Sequence, residues 1–179
     1  MGLDMFLKAG TYVSTYNHQE LLSDLHKLVG ETAFSCPIPE DSKDRTLGDC
    51  GIEFTVAYWR KANAIHAWLL EEIAPEGGDN CQPLDVSVET LTELRDICRA
   101  VLELRTHFQD GLISPDALVE GCMELLPTQS GFFFGSTEIG PWYFEDMEYT
   151  VERLTQLLDW YGSNTDNGIF PHFIYQASW

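Results

Sequence analysis

The sequence predicts an α+β fold: a mostly antiparallel sheet with several helices packed on it, in a single domain. Three observations carry that expectation. Stretches of alternating or β-branched residues stand at both ends and in the middle of the chain, as half-buried strands do. The segments between them repeat apolar residues at helical spacing. A chain of 179 residues, 44% of them hydrophobic, is long enough for one substantial core.

Taken in order, residues 2–7 alternate (Leu3, Asp4, Met5, Phe6, Leu7) and predict a first short strand. Asn17 is placed to cap a helix over 18–29, whose apolar face is Leu21, Leu22, Leu25, Leu28 and Val29. Residues 36–51 mix prolines, aspartates and glycines without a period and predict a surface loop. Residues 52–59 are β-branched and aromatic and predict a strand. A helix follows over 62–73, with Ala62, Ile65, Leu69 and Ile73 on one side, and Pro75 and the Gly77-Gly78 pair stop it. A short strand is expected over 82–86. Ser87 then caps a long helix reaching about His107, striped by Leu91, Leu94, Cys98, Val101 and Leu102. Ser114-Pro115 starts another helix, with proline at its first position. Residues 131–135, with three consecutive phenylalanines, read as a buried strand. Residues 142–161 form the most regular helix pattern (Phe144, Met147, Val151, Leu154, Leu158), and 169–179 alternate as a final strand.

Composition narrows the function classes. The net charge is −19, from 29 acidic and 10 basic side chains. Direct nucleic-acid binding through phosphates needs clustered Lys and Arg and is disfavoured. No apolar run approaches the ~20 residues of a membrane span, and no leader pattern is read at the N-terminus, so the expected setting is cytoplasmic. Five cysteines with no Cys-x-x-Cys spacing argue against a disulfide framework or a structural zinc site. Cys98 and Cys122 are expected in the core, and Cys36, Cys50 and Cys81 in loops. His66, His107 and His172 show no metal-ligand spacing, so no metal is expected. No activated serine elbow is present, and the residues leave the cofactor open.

Two polar stretches stand out. Residues 58–68 (Tyr-Trp-Arg-Lys-Ala-Asn-Ala-Ile-His-Ala-Trp) put two cations, an amide and an imidazole at a strand-to-helix junction. Asn63 and His66, three apart, share a helix face, and cations beside helix N-terminal amides suit an anion. Residues 125–137 contribute Gln129 and Ser130 from a loop able to hold anions on backbone amides. The expected pocket is lined by Arg60, Asn63, His66, Gln129 and Ser130, with Trp59 as a stacking wall. Its plainer counterpart makes Trp59 and Trp68 core residues, pairs Arg60 and Lys61 with surface acids, and gives His66 a buried hydrogen bond. Acidic stripes (Glu89, Glu93, Asp96, Glu103; Glu145, Glu148, Glu152, Asp159) lie opposite the apolar stripes of their helices, as solvated faces do.

The opening Met-Gly-Leu-Asp-Met, the two polar blocks and the closing Tyr175-Gln-Ala-Ser-Trp179 together resemble a family of small bacteriophage and prophage proteins with no firmly attached activity. The resemblance implies a bacterial host cell as the setting. A phosphoglycerate kinase label carried by some members fits neither the length nor the strand–helix order of this chain. The expectation is then a phage accessory protein, for host takeover or counter-defence, whose pocket binds a small anionic ligand or a host factor. Two alternatives stand beside it. One is an enzyme acting on a nucleotide or phosphoester, with His66 as acid or base and Arg60 stabilising charge. The other is an acidic DNA-mimic inhibitor of a host protein.

Overall fold

A computed structural model describes residues 2–13, 50–77, 81–165 and 171–179. The helix expected over 18–29, its Asn17 cap and residues 36–49 of the expected loop lie outside the described residues. Packing separates two compact units, Met1–Ala9 with Phe54–Trp179, and Gly10–Glu53. The candidate site belongs wholly to the first.

The architecture is α+β, with an antiparallel sheet and helices packed against it. In chain order the described elements are β1 (Asp4–Val13), β2 (Cys50–Arg60), α1 (Asn63–Ile73), β3 (Leu84–Val86), α2 (Val88–Gln109), α3 (Pro115–Leu125), α4 (Pro141–Thr165) and β4 (His172–Ser178). The four strands stand in the order β2-β1-β4-β3. The short β3 pairs antiparallel with β4, Leu84 opposite Tyr175 and Val86 opposite Phe173. β2 begins at Cys50, so residues 50–51 are strand rather than the end of a loop, and Cys50 is not a loop cysteine.

Period-two burial explains why these segments are strands. Leu3, Met5, Leu7 and Ala9 are buried, as are Ala57 and Trp59, and Phe173, Tyr175 and Ala177. All belong to one core with Ile65 and Leu69 of α1, Leu91, Leu94, Cys98 and Val101 of α2, Leu118 and Cys122 of α3, and Met147 and Leu154 of α4. Each fully buried aliphatic side chain is worth roughly 1.5–3 kcal/mol. The helix starts obey the cap signals. Ser87 Oγ accepts from Thr90 N at 3.0 Å, and Ser114 Oγ from Ala117 N at 3.2 Å, ahead of Pro115.

One element differs from expectation. Residues 131–135 are not a buried strand but a tight turn, closed by Phe134 N–H donating to Gly131 O at 3.2 Å. Phe132 at its tip is 95% exposed. Three aromatics in a row suggest a sheet, but the carbonyls of Phe134 and Ser136, which a ladder would use, are taken by the side chain of Asn63.

Candidate functional site

The site forms where β2 ends and α1 begins. Between them Lys61 adopts a left-handed backbone conformation, φ +63°, and its N–H donates to Leu3 O at 2.8 Å. That conformation costs a non-glycine residue on the order of 1–2 kcal/mol. Two glycines leave room for it. A Cβ on Gly135, itself at φ +91°, would stand 3.0 Å from Lys61 Cβ, and one on Gly2 would stand 3.2 Å from Lys61 Cε. The opening residues and the loop after the phenylalanines therefore both pack on the stem of Lys61.

Asn63, the first residue of α1, joins the two polar blocks. Its Nδ2 donates to Phe134 O at 3.1 Å and Ser136 O at 2.8 Å, and its Oδ1 accepts from Gln129 N at 3.0 Å. Both amide protons are used, and the residue is only 4% exposed. A side-chain amide in this position substitutes for strand pairing across a loop that has none.

The far wall of the site is the first turns of α4. Trp59 Nε1 donates to Thr150 Oγ1 at 2.8 Å, and Thr150 Oγ1 donates to the Asp146 carbonyl at 2.6 Å. Tyr143 Oη donates to Leu126 O at 2.9 Å, satisfying a carbonyl at the end of α3. These bonds fix α4 against β2 and α3. Between the wall and the Lys61 junction lies a cleft of about 370 Å³, lined among others by Lys61, Thr128, Ser136, Trp142 and Asp146. Its size is within the range of small-molecule sites. Ser136 Oγ accepts from Glu138 N at 3.1 Å, which leaves its own hydroxyl proton able to donate. Asp146 is half-buried, and loss of hydration, followed by the neighbouring Glu145 charge, pushes its carboxyl up to about 7.

Comparison with family models, curated proteins and solved structures finds no match.

The expected site residues separate into three groups. Arg60 and Asn63 border the cleft. The Arg60 guanidinium is nevertheless 3.8 Å from the Asp4 carboxylate and largely exposed, and Asp4 also accepts a hydrogen bond from Tyr58 Oη. That bond raises the Tyr58 phenol above its ordinary value. Trp59 and His66 are interior. Trp59 is 3% exposed and packs edge-on to Tyr149, so it is no stacking wall. His66 is fully buried, its Nδ1 2.6 Å from Tyr175 Oη, with Phe134 and Trp179 edge-on to its ring. Asn63 and His66 do share a helix face, but that face points into the protein. Gln129 and Ser130 are exposed and off the cleft, and Gln129 contributes its backbone N–H to Asn63.

Sequence reasoning missed Lys61, Ser136, Trp142 and Asp146 as site residues. Lys61 lay inside the first block and Ser136 inside the second, so both were visible as residue types. Trp142 and Asp146 share one face of α4 at i, i+4, a spacing obscured by the acidic and apolar stripes around it. Among the described residues no three His, Cys, Asp or Glu side chains gather as a metal site, and no helix is long and apolar enough to cross a membrane. Burial raises the thiols of Cys98 to about 12 and Cys122 to about 11, so neither is a nucleophile.

Proposed function

We propose that the protein binds a small anionic ligand in the cleft between the Lys61 junction and α4. The observation that carries this reading is the strained Lys61 backbone beside two glycines that accommodate its stem, on a cleft where the Ser136 hydroxyl is able to donate. Backbone strain persists where the surroundings over-determine it and clusters at ligand sites. Lys61 supplies the charge and Ser136 a donor. Arg60 adds field from the rim, reduced by its pairing with Asp4. The resemblance of the two blocks to small phage proteins gives such a binder a setting, the capture of a host small molecule or host factor during infection.

A panel of nucleotides and acidic metabolites, read by thermal shift, tests this reading. One member raises the melting temperature in proportion to the logarithm of its concentration, and Lys61→Ala removes the shift without lowering the unliganded melting temperature. A full panel that leaves both proteins unmoved refutes small-ligand binding.

A second reading, an enzyme acting on a nucleotide or phosphoester, is favoured by Asp146 rather than His66. A carboxyl titrating near neutrality in a cleft suits general acid–base work, whereas His66 faces no opening. Recovery of a bound ligand unchanged after long incubation would dismiss it.

A further inference from the structure

We propose that the ligand is a nucleotide whose base offers two adjacent N–H donors, as guanine does, with the base edge on Asp146, its face on Trp142 and its phosphate on Lys61. This rests on the anion-binding reading of the same cleft and adds the identity of the non-anionic part.

The first argument is electrostatic. A bare anion entering this cleft meets Lys61 and Arg60, but also the carboxyl groups of Asp146 and Glu138. Those acids oppose a simple phosphate and reward a ligand that carries its own donors. The Asp146 carboxyl accepts no hydrogen bond from a described residue, although it is half-buried. A partly dehydrated acceptor of this kind gains from a donor that replaces its remaining water. Lys61, from the junction of β2 and α1, and Asp146, from α4, line the same cleft, so a ligand that meets both needs an acid for one and N–H groups for the other.

The second argument is the shape of the donor. Trp142 lies one helical turn before Asp146 on the same face of α4 and is 78% exposed. A tryptophan left uncovered at the border of a cleft offers a flat π-surface to a planar ring. Its position on a helix rather than a loop, with α4 tied to β2 through Thr150, holds that surface in fixed relation to the carboxyl. A planar ring with adjacent donors on one edge, joined to a phosphate, describes a guanine nucleotide. Adenine presents one donor beside an acceptor, and once Asp146 is ionised, above about pH 7, that acceptor would face a carboxylate lone pair.

Calorimetric titration of the full chain at pH 8.5, where Asp146 is ionised, with GMP, AMP and inorganic phosphate tests the assignment. GMP is expected to bind at least tenfold more tightly than AMP or phosphate. Asp146→Asn should lower the GMP affinity at least tenfold while leaving AMP bound no more weakly, because a carboxamide offers adenine both a donor and an acceptor. Trp142→Ala, an exposed substitution that leaves folding intact, should weaken GMP and AMP alike by roughly tenfold. Equal binding of all three probes, abolished by Lys61→Ala and indifferent to Asp146→Asn and Trp142→Ala, overturns the nucleotide inference and leaves the anion site standing. Tighter binding of AMP than of GMP overturns it as well. No binding of any probe, together with silence across the wider metabolite panel, overturns both.

Discussion

Asn63 satisfies three backbone groups of the 125–137 block with one side chain, so it holds the loop in place of a β-ladder. Asn63→Ala leaves two carbonyls and one N–H without partners in a part-buried place. We expect a loss of about 2–4 kcal/mol in urea unfolding. A loss under 1 kcal/mol would mean that the loop is held by other contacts. Lys61 should behave in the opposite way. Lys61→Gly relieves the left-handed backbone and is expected to stabilise the protein by about 1 kcal/mol, while removing ligand-induced stabilisation. A residue that costs stability where it stands, and whose removal costs only binding, is retained for function. A variant both less stable and still ligand-responsive would contradict this account of Lys61.

At the scale of elements, α4 carries both core and site, and its Asp146 makes the protein pH-sensitive. The folded carboxyl titrates near 7 and the unfolded one near 3.9. The folded state therefore holds the proton more tightly, and this group's contribution is fully present below about pH 4. It is lost as pH rises through 7. Asp146→Asn should thus stabilise the protein by about 1–2 kcal/mol at pH 8, discounted from full linkage because the carboxyl is partly solvated. The gain should vanish at pH 4, as denaturation at the two pH values will show. The elements themselves were legible because their determinants are local. Ser87 and Ser114-Pro115 mark helix starts, and the alternation of Leu3, Met5 and Leu7 marks a strand without knowledge of any partner. The turn at 131–135 was not legible, since a long-range donor, Asn63, decides it. The same cause separates the expected site from the observed one. Helical spacing puts Asn63 and His66 on one face but does not say whether that face meets solvent or β4. The cleft needed Trp142 and Asp146, some eighty residues further on, and no local pattern joins them to Lys61. Phe132 shows the contrast sharply. Phe132→Ser at the exposed tip is expected to change stability by less than about 0.5 kcal/mol, whereas Phe134→Ala, which removes a ring packed on His66 and Trp179, should cost about 2–4 kcal/mol.

Across the whole molecule, charge outweighs every other surface property. The acidic stripes of α2 and α4 are exposed as expected, yet Arg95, Arg99, Arg105 and Arg153 stand on the same two helices. Arg105 reaches across to Glu148 at 2.6 Å, and Arg95 and Arg99 both pair with Asp96. The carboxylates therefore form interrupted rows, which suits a solvated face better than a continuous phosphate-like strip. Such exposed pairs contribute about 0–1 kcal/mol each, too little to offset the mutual repulsion of a chain with 29 acids and 10 bases. Salt weakens both, but it relieves more repulsion than it removes attraction. Going from 0.01 M to 0.1 M shortens the screening length from about 30 Å to about 10 Å, and sodium chloride over that range should raise the melting temperature by a few degrees. A fall instead would mean that the ion pairs outweigh the net charge. The same experiment isolates the cleft. Phosphate at matched ionic strength screens equally but also stabilises by exclusion from the surface, so the part of its excess over chloride that Lys61→Ala removes measures occupancy of the Lys61 site, and the general rise should stay in place. If Lys61→Ala removes none of the excess, phosphate does not occupy the cleft, and the cleft loses its claim as the anion site.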